Sequence, residues 1–150
     1  MSMNTSIVYG RGFNVDGVTD GTLKLFARNH LASLRACLSQ EELGEIEEYL
    51  GCDDEADFPE VECGISCQRG TYAVISNVIR EESGIQVQYE PGQEDCDSLP
   101  SILLAACLPW QYAEEEKLLT IQEYDDIISP YMVELGVSGN PDDLSVEYYG

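Results

Sequence analysis

Nucleophilic catalysis needs a base beside the nucleophile, and this chain has one histidine to offer, His30. It falls near Leu31 and Leu34 on the apolar side of a helical pattern and reads as a packed or half-buried side chain. No local Cys–His signature accompanies it. The thiols are Cys37, Cys52, Cys63, Cys67, Cys96 and Cys107. Cys37 and Cys107 sit in apolar runs and read as small core residues. Cys63 and Cys67 form the single close pair, where zinc sites combine two such pairs or add histidines. Asp53-Asp54-Glu55-Ala56-Asp57 and Glu94-Asp95-Cys96-Asp97 offer hard oxygen ligands, but neither has the spacing of a calcium loop. Tyr9-Gly-Arg-Gly-Phe13 lacks the G-x-G-x-x-G of a phosphate-binding turn. With 29 acidic residues almost any glycosidase-like carboxylate pair can be drawn, so pairing carries no information. The residues therefore predict a chain that is not an enzyme and holds no metal or cofactor.

The carboxylates matter instead through their number. Asp and Glu total 29 against 7 Lys and Arg, a formal net charge of −22 in 150 residues. The first 35 residues are slightly positive, with Asp16 and Asp20 against Arg11, Lys24, Arg28 and Arg35. From Ala36 to Gln68 there is no base, yet there are 11 acids. A second base-free run extends from Glu81 to Glu116, and the last 33 residues have none either. Local i,i+4 ion pairs need alternating signs and cannot neutralise such runs. Direct binding of nucleic acid requires a basic surface and is excluded. A basic membrane-surface helix is excluded on the same ground, and no apolar stretch approaches the ~18 residues of a membrane span. The absence of a basic segment leading into an apolar one predicts a cytoplasmic chain with reduced thiols rather than a secreted disulfide framework.

The elements that must carry these groups follow from periodicity. Thr5–Phe13 reads as a first strand, with Gly10 and Gly12 marking a bulge or a close backbone approach. Thr19 or Asp20 caps a helix whose apolar stripe runs from Leu23 to Leu38. Ser39-Gln-Glu-Glu42 is a capping box opening a second helix, which Gly51 stops. On that helix Leu43, Ile46 and Leu50 face inward, and Glu41, Glu45 and Glu48 point outward together. Cys52–Gly70 reads as a loop. A third helix starts at Thr71, with Tyr72, Ile75, Val78 and Ile79 inward, Asn77, Arg80 and Glu81 outward, and Gly84 as its C-cap. Ile85–Tyr89 alternates as a strand, and Ile102–Leu108 reads as a buried strand, although a helix segment has the same pattern. Thr120-Ile-Gln-Glu123 caps the last helix, which continues past Pro130 to Gly136, and Leu144–Tyr149 closes the chain as a strand. The order β-α-α-α-β-β-α-β predicts one α+β domain over residues 1–150, with a mainly antiparallel sheet of about four strands, about four helices and a flexible tail at 1–4.

Two accounts of the acidity compete. Net charge can serve solubility alone. It can also imitate a polyanion: duplex DNA carries about one charge per 1.7 Å, so a domain roughly 35–40 Å across matches a similar length of duplex in charge. The spared first 35 residues favour the second account. The short chain, the base-free acidic runs, Pro109-Trp110-Gln111 ahead of an acidic helix cap, and the ending Val146-Glu-Tyr-Tyr-Gly150 resemble the small acidic anti-defence proteins of phages and prophages, anti-CRISPR proteins among them. That resemblance implies a non-enzymatic inhibitor acting in a bacterial cytoplasm, with a basic nucleic-acid-binding protein such as a CRISPR nuclease as partner. No residue is transferred from it. The residues themselves nominate Glu41, Glu45, Glu48, Asp53, Asp54, Glu55 and Asp57 as phosphate substitutes. Trp110 fits either a core position or the anchor of a protein interface, the latter being the alternative function.

Overall fold

A computed structural model describes residues 5–51, 57–64, 68–93, 98–104 and 120–149. The four N-terminal residues read as a tail, the loop acids Asp53, Asp54 and Glu55, Cys67, Cys107 and Trp110 lie outside the described residues. The architecture is α+β, as the periodicity predicts. Strand β1 (Thr5–Asn14) leads to helices α1 (Asp20–Asn29), α2 (Leu31–Cys37) and α3 (Gln40–Leu50), then strands β2 (Val61–Glu62) and β3 (Arg69–Gly70). Helix α4 (Ala73–Ser83), strands β4 (Val87–Glu90) and β5 (Ser101–Leu104), helix α5 (Ile121–Leu135) and strand β6 (Asp142–Tyr149) follow. The main sheet is antiparallel in the order β4-β5-β1-β6, and β2 and β3 pair separately.

Side chains set the helix limits. Thr19, Ser39 and Thr120 each accept a hydrogen bond from the backbone N–H three residues on, at Thr22, Glu42 and Glu123. Each such cap stabilises its helix by about 1 kcal/mol. Glycines at left-handed φ end two helices, Gly84 at 76° and Gly136 at 73°. The long first helix expected from Thr19 to Leu38 is instead two helices. His30, between them, leaves the helical region (φ −117°, ψ 24°), and its ring lies between carboxylates of α4 and α5. Helix α5 continues through Pro130.

Three further expectations are corrected. The stretch Cys52–Gly70 contains the β2/β3 hairpin rather than loop alone. The third helix starts at Ala73, not Thr71. Asn77 faces inward at 1% exposure, donating through Nδ2 to Glu62 O and accepting through Oδ1 from Gly64 N and Arg80 Nη2. Helix α4 is packed on several sides, by α2, β4 and the β2/β3 hairpin, so Asn77 meets backbone groups instead of water, while Glu81 is exposed as expected.

The strand β4 alternates in sequence, yet Val87, Gln88, Tyr89 and Glu90 are all buried. Val87 and Tyr89 face the helices and join the main core with Phe13, Phe26, Ile75, Ile79 and Ile128. Gln88 and Glu90 face the other side, and what encloses them follows from the register. Glu90 pairs with Ser101, Ser101 with Asn14, and Tyr148 with Ser6, eight residues further along β1. A flat sheet would hold Tyr148 and Glu90 about 30 Å apart, taking ~3.3 Å per residue and ~4.8 Å per strand. Their side chains instead share a 2.8 Å hydrogen bond. The β1–β6 ribbon therefore curls over the back of β4 and β5. The expected close approach occurs at Gly12, where a Cβ would lie 1.7 Å from Ile102 O. Ser98 fastens the curled end, donating to Glu147 O and accepting from Glu147 N.

Candidate functional site

The outward edge of α3 is built as its sequence requires. Ile46 is fully buried, Leu43 and Leu50 pack partly against the core, and Glu41, Glu45 and Glu48 are exposed. At 1.5 Å per residue these three carboxylates rise along the helix in steps of about 6 and 4.5 Å. Phosphates on one DNA strand rise ~3.4 Å each, so these carboxylates are spaced roughly one and a half times as far apart. None of the three has a hydrogen bond or ion pair with a described residue. The other two glutamates of α3 are engaged: Glu47 pairs with Arg35 Nε at 3.3 Å, and Glu42 accepts from Glu62 N at 2.8 Å. The Glu42 contact brings the start of α3 beside β2, where Glu62 is also exposed. Asp57 is exposed ahead of β2. The structure thus places Glu41, Glu45 and Glu48 on one edge, with Glu62 beside it as a residue that sequence reasoning missed. Nothing in the local spacing announces Glu62, because a tertiary hydrogen bond puts it there.

The cations explain why this edge stays charged. Of the 7 Lys and Arg residues, Lys117 lies outside the described residues. The other six are committed inside the fold. Arg11 on β1 holds Asp125 of α5 through two nitrogens, at 3.0 and 2.8 Å, and reaches Asp143 of β6 at 3.3 Å. Hydrogen bonds from its guanidinium to Asp125 outweigh the burial that opposes its charge and push its pKa up. Arg28 Nη2 donates to Leu50 O at the C-terminus of α3, where positive charge is favoured. Lys24 lies 5.3 Å from the Tyr49 ring centroid. Arg35 pairs with Glu47 and Arg69 with Glu60, while Arg80 donates to Asn77. Each of these six cations thus has other groups to serve, and none has a hydrogen bond or ion pair to Glu41, Glu45 or Glu48.

A second polar cluster surrounds His30, half-buried as its apolar neighbours suggest. Its Nδ1 lies 2.7 Å from Glu82 Oε2 and its Nε2 2.8 Å from Glu134 Oε2. Ser33 Oγ and Tyr131 Oη donate to the Glu82 carboxylate, and Asn29 Nδ2 donates to Glu134. Burial opposes charge on His30, but the hydrogen bonds to Glu134 and Glu82 outweigh it, and its pKa stands above the ordinary 6.5. Glu82 moves the other way: burial pushes it up, and the donors Ser33, His30 and Tyr131 carry it below the usual carboxylate value. Both ring nitrogens are occupied by carboxylates, so the imidazole offers no lone pair to a nucleophile. The two carboxylates lie at opposite ring nitrogens and do not converge on one point. Among the described residues no group of three or more His, Cys, Asp or Glu side chains is placed to hold a metal ion. Cys63 is buried beside Val87 O.

No protein-family model, curated protein or solved structure matches this chain. No helix among the described residues is long and apolar enough to cross a membrane.

Proposed function

We propose that this protein is a non-enzymatic inhibitor that imitates nucleic acid and occupies the basic groove of a nucleic-acid-binding protein in a bacterial cytoplasm. An RNA-guided CRISPR nuclease is the partner class proposed first. The observation that carries the reading is the unneutralised edge of α3. Glu41, Glu45 and Glu48 lack described partners, while the six described Lys and Arg residues are spent elsewhere. A surface of this kind meets Lys and Arg through charge-assisted hydrogen bonds and associates at electrostatically steered rates.

The test is competition. Guide-loaded CRISPR nucleases are incubated with a labelled target duplex and increasing protein, across a salt series. Inhibition that competes with the duplex and weakens steeply with salt supports the reading. The triple variant Glu41→Lys/Glu45→Lys/Glu48→Lys should then weaken inhibition by about 1–3 kcal/mol if its contacts are exposed, and more if they are desolvated. Binding that is indifferent to salt and to all three reversals refutes it and directs attention to an interface anchored by aromatics such as Trp110.

A further inference from the structure

We propose that His30 is a proton-operated clasp: charged, it ties the α1–α2 corner to α4 through Glu82 and to α5 through Glu134, and on losing its proton it releases one of the two. The geometry requires this. Distances of 2.7 Å to Glu82 and 2.8 Å to Glu134 place a carboxylate oxygen at each ring nitrogen. Only the imidazolium has an N–H at both. A neutral ring keeps one N–H and turns a lone pair toward the other carboxylate, so an attraction becomes a repulsion at hydrogen-bonding distance.

The surroundings offer no substitute. From α1 come the Phe26 ring, with its centroid 4.5 Å from that of His30, and the neutral amide of Asn29. From α2 comes the hydroxyl of Ser33, from α4 Glu82, and from α5 Glu134 and Tyr131. The charged groups facing the ring are thus both anionic. Tyr131 is itself pushed above its ordinary value, by burial and by its hydrogen bond to Glu82, so it stays a neutral donor throughout the relevant range. His30 also occupies the one non-helical position between α1 and α2. Helix α2 packs on α4 and adjoins α3. Releasing the clasp therefore loosens the corner from which the acidic helix α3 is hung.

The direction with pH follows. A histidine raised above 6.5 contributes stability that is complete below 6.5 and is lost as pH rises through its folded value. Glu82, lowered from 4.5, contributes stability that is complete above 4.5 and is lost as pH falls through its folded value. The clasp is closed between those limits and opens toward alkaline pH. Each unit by which the histidine is raised weakens the closed state about tenfold on deprotonation.

The experiment follows the ring directly. Imidazole ¹⁵N shifts of the intact protein are titrated from pH 5 to 10, and thermal stability is measured over the same range for the wild type and His30→Gln. The expected result is a midpoint above 6.5, with the ring protonated on both nitrogens below it. The wild type should lose stability through that midpoint, and His30→Gln should lack that step. If His30→Gln does not fold, Glu134→Gln provides the second reading, lowering the midpoint of His30. A midpoint at or below 6.5, a single protonated nitrogen below the midpoint, or an unchanged midpoint in Glu134→Gln overturns the proposal.

Discussion

Removing one hydroxyl, by Tyr148→Phe, tests the curled sheet. Tyr148 Oη donates to Glu90 Oε2 at 2.8 Å and accepts from Gly92 N at 3.3 Å. Glu90 is 4% exposed, and its remaining donor is Gln88 Nε2 at 2.9 Å, on the other carboxylate oxygen. The variant leaves a buried anionic oxygen and a backbone N–H without these partners. A buried polar group stripped of its partner costs about 1–3 kcal/mol, and more when charged, so the expected loss at pH 8 is roughly 2–4 kcal/mol. The loss should shrink at pH 5. Burial already raises Glu90 above 4.5 against the opposing hydrogen bonds from Tyr148 and Gln88, and losing Tyr148 raises it further. An acid with a raised folded pKa gains stability as pH falls through that value toward the unfolded one, so protonation recovers part of the cost. Glu90→Gln is the complementary change. A neutral amide can accept from Gln88 and donate to Tyr148, so stability should stay within about 1 kcal/mol of wild type or rise, most of all at pH 8. Urea unfolding followed by far-UV circular dichroism, each variant against wild type at the same pH, reads these differences without the background titration of the other carboxylates. Tyr148→Phe within 0.5 kcal/mol of wild type at pH 8 (roughly the scatter of a neutral surface change), or Glu90→Gln as damaging as Tyr148→Phe, would refute the reasoning.

Two more expectations follow from the same structure. Gly12→Ala and Gly44→Ala should act in opposite directions in urea unfolding. The first sets a methyl 1.7 Å from a backbone oxygen and should cost about 3–5 kcal/mol, whereas the second meets nothing within 4 Å on exposed α3 and should gain ~0.5–1 kcal/mol. Raising sodium chloride from ~0.01 M to ~0.15 M shortens the screening length from about 30 to 8 Å and should raise the Tm, because a net charge of −22 repels itself. A Tm that falls over this range would mean that the ion pairs outweigh the repulsion.

Much of the local structure is legible in the chain because local rules decide it. The hydroxyls of Thr19, Ser39 and Thr120 mark helix starts wherever they stand before an apolar period, and all three cap as expected. The inward stripe of α3 likewise fixes which glutamates point out, since 3.6 residues per turn leaves Glu41, Glu45 and Glu48 opposite Ile46. Asn77 is read wrongly, and the burial of both faces of β4, itself correctly read as a strand, goes unread, for one reason. Periodicity says which face of an element is polar, and the polarity of that face is a fair guide to water only when nothing else covers it. Asn77 meets the backbone of Glu62 and Gly64, and Glu90 meets Gln88 and Tyr148.

The amino-acid sequence by itself determines the α+β class, the caps, the excess of negative charge and its concentration after residue 36. Those properties depend on composition and on neighbours within about a helical turn. Tertiary structure alone decides which charges remain free. Arg11 meets Asp125 across 114 positions, and His30 meets Glu134 across 104. Such pairs arise because chain closure brings distant segments within hydrogen-bonding distance, a relation that no local spacing encodes. The same closure sets His30 between two carboxylates, curls the sheet so that Tyr148 meets Glu90, and leaves the α3 edge without a described cation to neutralise it.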